Sequence, residues 1–245
     1  MKRLSSYDQH FLRSPRLVAE LIGHTNIRKN DTVYDLGAGS GVITSVLAWR
    51  CGQVFAVENE PGALIKLRQN TAQHDNVTVI ARDILGLNIP TGSYKIFANI
   101  PFSLSAKIVR KFTDTGNPPK AIYLVVQRQF ALKLVPSERH FTSELGAEIG
   151  ALYAARIRRP LHRSDFTPPP AVDTVLLELK LRERPLVALE QLRQYRAFVT
   201  RCFAEQKYFQ SQPRSRIGVS PERKPSELTL DQWAKLFDAS KPPKT

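Results

Sequence analysis

Thr32-Val33-Tyr34-Asp35-Leu36-Gly37-Ala38-Gly39-Ser40-Gly41-Val42 is the stretch on which the reading of this chain turns. Its first five residues are mostly β-branched, aromatic or aliphatic and read as a strand. Three alternating glycines follow, and they let the backbone turn tightly and pass close to a ligand that side chains would keep away. Residues 42–49 then read as a helix. The same grammar repeats downstream, with strands at 53–58, 76–81, 94–98 and 121–126 and helices at 62–72, 103–112 and from 127 to about 134. Upstream, Leu17, Val18, Leu21 and Ile22 mark a helix opened by Pro15. Strand alternating with helix at this spacing predicts an α/β fold with a Rossmann-like, parallel, doubly wound sheet.

Beyond Pro136 the pattern changes. Residues 145–157 and 172–181 read as extended segments on either side of Phe166-Thr-Pro-Pro-Pro170, an antiparallel pair closing the sheet edge. From residue 186, Leu189, Leu192, Tyr195, Phe198, Val199, Cys202 and Phe203 recur at helical spacing, and 228–237 gives a last short helix. Between them, 208–226 holds three prolines and reads as a loop or mobile segment. The expected division is a main domain over 1–181 and a small helical domain over 182–245.

Composition narrows the function classes. No apolar run approaches the roughly 18 residues of a membrane span, and the first residues lack the apolar core of a secretory signal, so a soluble cytoplasmic monomer is expected. Cys51 and Cys202 lie too far apart for a metal or redox motif, and the five histidines show no ligand spacing, so no metal is expected. The unusual property is charge: 36 Lys and Arg against 22 Asp and Glu, net +14. Such an excess repels itself unless a polyanion takes it up, which points to nucleic acid.

The glycine loop reads G-x-G-x-G, with Val42 where a dinucleotide fingerprint places its last glycine. Asp35 just before it would repel a pyrophosphate but attract the ammonium of a methionine moiety. The loop, Asp35 with Gly37, Gly39 and Gly41, therefore favours S-adenosyl-L-methionine over NAD. Glu58 ends the second strand, where a carboxylate can accept both ribose hydroxyls. Asp83, after the third, can accept from the cofactor's adenine amine. The alternative for both is a plain helix cap. Glu60 reads as a helix-start acid.

Asn99-Ile100-Pro101-Phe102 follows the fourth strand. An exocyclic adenine amine is a poor nucleophile while its lone pair is delocalised into the ring. Acceptors that hold its hydrogens in tetrahedral geometry relieve this, and the Asn99 amide oxygen and the Ile100 carbonyl can supply two. Pro101 stiffens the loop, and Phe102 offers a face for an extruded base. Alone, such a motif is more often a strand-ending turn with a buried aromatic.

These residues, together with Gln9-His-Phe-Leu12 and Phe166-Thr-Pro-Pro-Pro-Ala-Val-Asp173, resemble the rRNA adenine-N6 methyltransferases over roughly residues 7–182. The resemblance implies that Gln9 and Leu12 contribute to the cofactor pocket, that Asn99 and Phe102 hold the target amine and base, and that Phe166 lines the base pocket. A core aromatic is the alternative for Phe166. Asp35 stands where the family often has Glu, and Phe102 where Tyr is common. Ser14-Pro-Arg-Leu-Val18, the Asn99-Ile-Pro-Phe-Ser-Leu-Ser105 wording and the short C-terminal region resemble the erythromycin-resistance (Erm) branch. That implies 23S rRNA as substrate and resistance to macrolides, lincosamides and streptogramin B.

The RNA footprint is expected at Lys107, Arg110 and Lys111; at Arg156, Arg158, Arg159 and Arg163; and at Arg193, Arg196, Arg201 and Lys207. The sequence also admits three other readings: a small-subunit (16S) dimethyltransferase, a DNA adenine methyltransferase, and a non-catalytic nucleic-acid-binding protein on the same scaffold. The last would be expected to have lost the glycine loop or the Asn99 motif, and both are intact.

Overall fold

The computed structural model describes residues 10–136 and 142–241. A seven-stranded sheet forms its centre. Strands β2 (Thr32–Leu36), β3 (Gln53–Glu58), β4 (Val77–Ala81), β5 (Lys95–Asn99), β6 (Ala121–Gln127), β7 (Tyr153–Leu161) and β9 (Thr174–Leu181) lie in the order β4-β3-β2-β5-β6-β9-β7. The first five of these are parallel neighbours, and β9 runs antiparallel to β6. Val54, Ala56 and Val57, then Ile96 to Ala98, then Ala121 to Val126 are all buried. Unbroken apolar runs of this kind belong to parallel strands covered on both faces.

Helices α1 (Pro15–Gly23), α2 (Val42–Arg50), α3 (Pro61–Thr71), α4 (Ser105–Thr113) and α5 (Arg128–Leu134) supply the cover. Their starts are written locally. Ser14 caps α1 by accepting the Leu17 amide at 3.2 Å, with Pro15 in the first turn. In α4, Ile108, Val109 and Phe112 are buried while Lys107 and Arg110 are exposed, a single apolar stripe on a basic helix.

The sheet order has a functional consequence. The chain moves outward from β2 through β3 to β4, then returns to β5 on the other side of β2. Connections leaving the carboxyl ends of β2 and β5 therefore diverge, opening a crevice at that switch point.

Two expectations need correction. Residues 145–157 are not one extended segment: α6 (Glu144–Gly150) comes first, capped by Ser143, whose Oγ accepts the Gly146 amide at 3.0 Å, and β7 follows. A serine cap with an acid in the first turn outweighed the look of the apolar run. Nor is 208–226 without structure. Helix α7 (Leu192–Ala204) leads into α8 (Gln206–Ser211) and short 3-10 turns at Arg214–Ile217 and Pro225–Glu227, before α9 (Leu230–Ser240). Arg214 organises the segment from inside: it is buried, donates to the Pro221 carbonyl at 2.7 Å and stacks over the Phe209 ring.

Residues up to Ala131 with Arg156–Lys180 form one compact unit; Leu132–Ala155 with the residues from Leu181 onward form another. The second unit thus takes in α6, where the sequence reading began it at 182. Its core is aromatic: Trp233 is stacked on Phe203, Phe198 and Phe209 pack on Trp233, and Phe237 packs on Phe198. No described helix is long and apolar enough to cross a membrane.

Candidate active site

The glycine loop leaves β2 with Gly37, Gly39 and Gly41 all at positive φ (74°, 55° and 93°), a left-handed path open to glycine. Gly37 and Ala38 donate to the Val57 carbonyl, and Gly39 donates to Glu58 Oε2 at 2.8 Å. The loop is thereby fastened to the end of β3. Gly41 plays a different part from the one expected: it faces away from the cleft, and a Cβ there would sit 2.8 Å from Leu67 Cδ1. It lets α2 start, packed against α3.

The crevice at the switch point is a cleft of about 1030 Å³ counting its open mouth. It is lined by Gly37 to Ser40, by Glu58 and Asn59 beyond β3, by Arg82 to Ile84 beyond β4, and by Asn99 to Phe102 beyond β5. Leu12 lines it too. Gln9 lies outside the described residues.

The acids divide their work. Glu58 accepts from Gly39 through one oxygen and from the Asn59 and Glu60 amides through the other, at 2.8 and 2.9 Å. Asp83 Oδ1 caps the turn at the Leu85 amide, 2.7 Å away, while Oδ2 meets the Asn59 side-chain amide at 3.4 Å. Both therefore line the cleft, and neither caps a helix: Glu58 braces the loop ahead of α3, and Asp83 closes a turn. Glu60 caps α3, as its position suggested.

Asp35 departs from expectation. It is fully buried beneath the loop and is not part of the cleft wall. Thr44 donates to its Oδ2 at 2.6 Å, but Oδ1 has no partner. Burial, and to a lesser degree the charge of Glu58, push its carboxyl up to about 7 against the Thr44 hydrogen bond.

At the other side, Asn99 ends β5 and its Nδ2 donates to the His10 carbonyl at 2.6 Å, which leaves Oδ1 as the free end of the amide. His10 is held in turn by its ring, 2.9 Å from the Pro168 carbonyl. The ring lies 5.5 Å from that of Phe102, tilted by 32°. Strand β1 (Phe11–Leu12) pairs antiparallel with β8 (Phe166–Thr167), opposing Leu12 to Phe166. Phe166 is only 1% exposed and packs in the core with Leu12, Val125 and Leu176. It does not line the cleft, which corrects the base-pocket expectation: its pairing with β1 turns the ring inward. His10 is the residue that sequence reasoning missed. A lone histidine without ligand spacing gives no signal, and only the β1–β8 pairing brings it to Phe102.

The basic residues also sort. Arg158 donates to the His24 carbonyl and approaches Glu178, and Arg159 pairs with Glu20. Arg201 pairs with Glu205 and stacks 3.9 Å over Tyr208. These three are structural as well as charged. Lys107, Arg110, Arg156 and Arg163 in the first unit, and Arg193 and Lys207 in the second, are exposed; Lys111 and Arg196 are half-buried.

The model of the ribosomal RNA adenine dimethylase family matches residues 1–211. The chain belongs to that family. The rRNA adenine N-6-methyltransferase of Bacillus licheniformis is 28% identical over 250 residues, spanning 94% of this chain and 84% of that protein. The one from Staphylococcus aureus (strain Mu50) is 30% identical over 237 residues, 95% of each chain. The crystal structure of the 23S rRNA methyltransferase ErmE matches with a TM-score of 0.80 at 26% identity, covering 94% of this chain and 99% of that one. This member of the family is an S-adenosylmethionine-dependent methyltransferase.

The cleft of this methyltransferase suits that cofactor. Gly37 and Gly39 expose backbone at its wall, the carboxylates of Glu58 and Asp83 line it as acceptors suited to hydroxyl and amine donors, and an unpartnered carboxyl oxygen lies beneath the loop. Among the described residues no group of histidine, cysteine and acids can hold a metal.

Proposed function

We propose that this protein methylates the exocyclic N6 of one adenine in 23S rRNA, in the cytoplasm, and so confers resistance to macrolides, lincosamides and streptogramin B. The observation that carries the chemistry is the clamped Asn99 amide. Its NH2 end is fixed on the His10 carbonyl, so its oxygen is the end left to accept from a substrate amine. With the Ile100 carbonyl it would hold both amine hydrogens, drawing the nitrogen out of conjugation. Phe102 and His10 would receive the extruded base between the loop and the ribbon. S-adenosylmethionine supplies an electrophilic methyl with a good leaving group when bound, so the chain's share is positioning and electrostatics, and no general base is needed.

For the cofactor, Gly37, Gly39, Glu58, Asp83, Leu12 and Gln9 are the proposed contacts, with Asp35 acting from beneath the loop. Exposed basic residues of both units are the proposed phosphate contacts, the second unit assisting RNA binding. The target rRNA is argued from similarity to ErmE along nearly the whole of both chains.

The test is transfer of labelled methyl to purified 23S and 16S rRNA, with the modified base mapped. Label on one 23S adenine is expected. Label confined to 16S would move the protein to the small-subunit branch, and label on neither would remove the rRNA reading.

A further inference from the structure

The chain has two tryptophans, and they could hardly differ more in setting. Trp233 is fully buried, whereas Trp49 is 76% exposed. Tryptophan is highly buried on average, so one standing open on a helix asks for a partner. Trp49 is the penultimate residue of α2, and the His74 ring packs on it edge to face at 5.3 Å.

Three turns are laced together beside it. Gly52 and Gln53 donate to the Asp31 carbonyl, and Asn76 Nδ2 donates to the Ala48 and Cys51 carbonyls at 2.8 and 3.1 Å. Gly52 is where the first two turns close up, since a Cβ there would lie 2.8 Å from the Lys29 carbonyl oxygen. The tryptophan is thus set on a firm base. The exposed charges of these turns and of the end of α2 are mostly positive: Arg28, Lys29 and Arg50, against an exposed Asp75 and an Asp31 already paired with Lys95 at 2.6 Å. An aromatic face amid exposed cations is how single-stranded nucleic acid is held: bases stack and phosphates are neutralised.

This place is remote from the cleft. The cleft opens at the carboxyl ends of the strands, while the three turns lead into the amino ends of β2, β3 and β4. A strand of five or six residues is roughly 17–20 Å long, so an RNA that touches both ends must extend at least that far from the target adenine. We propose that Trp49, with Arg28, Lys29 and Arg50, is a second RNA contact that stacks an unpaired base of the same rRNA whose adenine enters the cleft. It rests on the rRNA substrate reading and adds a requirement for a substrate of extended size.

The test uses the full chain and two RNAs, a short hairpin holding the target adenine and a longer rRNA fragment that keeps the neighbouring helices. Trp49→Ala should raise KM for the long fragment on the order of tenfold, as loss of one stacked base does. Its kcat, its KM for the hairpin and its Tm should match wild type. Adding the long fragment should quench wild-type tryptophan emission, and Trp49→Phe, which retains only Trp233, should lose that quench. An unchanged KM on the long fragment, or a quench surviving in Trp49→Phe, overturns the proposal. So does a defect seen on ribosomal particles but absent on protein-free RNA, which would assign the surface to a protein. A wild-type protein that methylates neither RNA refutes the substrate reading instead, while the quench, read without turnover, still decides the surface.

Discussion

Asp35 is a carboxyl out of reach of water, with one oxygen held by Thr44 and the other unmet. Its native pKa of about 7 lies above the ordinary 3.8, so the folded protein keeps a proton that the unfolded chain gives up as pH rises. The pH-dependent penalty of burying Asp35 is therefore absent below about pH 4. The penalty grows through pH 7 and levels off above it, at on the order of 4 kcal/mol in all. Asp35→Asn should remove this share of the pH dependence. In urea titrations at pH 5 and pH 8, wild type should lose stability at the higher pH and the variant should lose less. If Asp35 also draws a cationic ligand to the loop, the same variant should bind S-adenosylmethionine more weakly at pH 8. Asn99 is the complementary case. Asn99→Ala should cut methyl transfer on the order of 10²-fold or more, as loss of one fixed polar partner in a reaction site does, with cofactor affinity near normal. Asn99→Asp should be no better, because an oxygen would replace the donor facing the His10 carbonyl. Single-turnover rates beside equilibrium cofactor binding check both.

At the scale of elements, the β1–β8 ribbon decides how the cleft is walled. Phe166 underpins it from the core, so Phe166→Leu should lower Tm yet leave kcat near wild type, and Phe166→Ala should cost roughly 3–5 kcal/mol. Phe102→Leu should do the reverse, keeping Tm and weakening RNA substrate by about 1–3 kcal/mol of lost stacking. Equal kcat losses at both positions would return Phe166 to the pocket. The glycine turn gives a second test: Gly41→Ala meets both a positive φ and the Leu67 methyl, so it should destabilise by at least about 1–2 kcal/mol, read as a fall in Tm. Much of this level was legible beforehand. Strand periodicity, the three glycines, and acids or Asn99 at strand ends are local signals, and the sheet delivered Gly37, Gly39, Glu58, Asp83 and Asn99 to one crevice, leaving Gly41 and Asp35 out of its wall. What local signals could not give was the antiparallel meeting of residues 11–12 with 166–167, which lie far apart in the chain. That pairing brings in His10 and turns Phe166 inward. The helix at Glu144–Gly150 was hidden for a different reason: a short apolar run fits strand and helix alike, and the Ser143 cap decides between them.

For the molecule as a whole, the governing quantity is its net charge of +14. Binding that neutralises phosphates releases counterions, so affinity should fall steeply with salt, each contact contributing a slope of roughly 0.7–0.9. The cations do not contribute equally, and their structural settings rank them. Arg193 and Lys207 are exposed on α7 and α8, whereas Arg214 is buried and spends its guanidinium on carbonyls and the Phe209 ring. Arg193→Glu with Lys207→Glu should therefore weaken binding of an rRNA fragment and flatten the plot of log affinity against log salt by between about 1 and 2 units, without changing Tm or cofactor affinity. Arg214→Ala should lower Tm instead, because it strips the 208–226 segment of its internal strut, and at temperatures where the variant stays folded its salt slope should equal that of wild type. Filter binding across a salt series separates the two. If the double reversal leaves the slope intact, the second unit makes no phosphate contacts at these two positions.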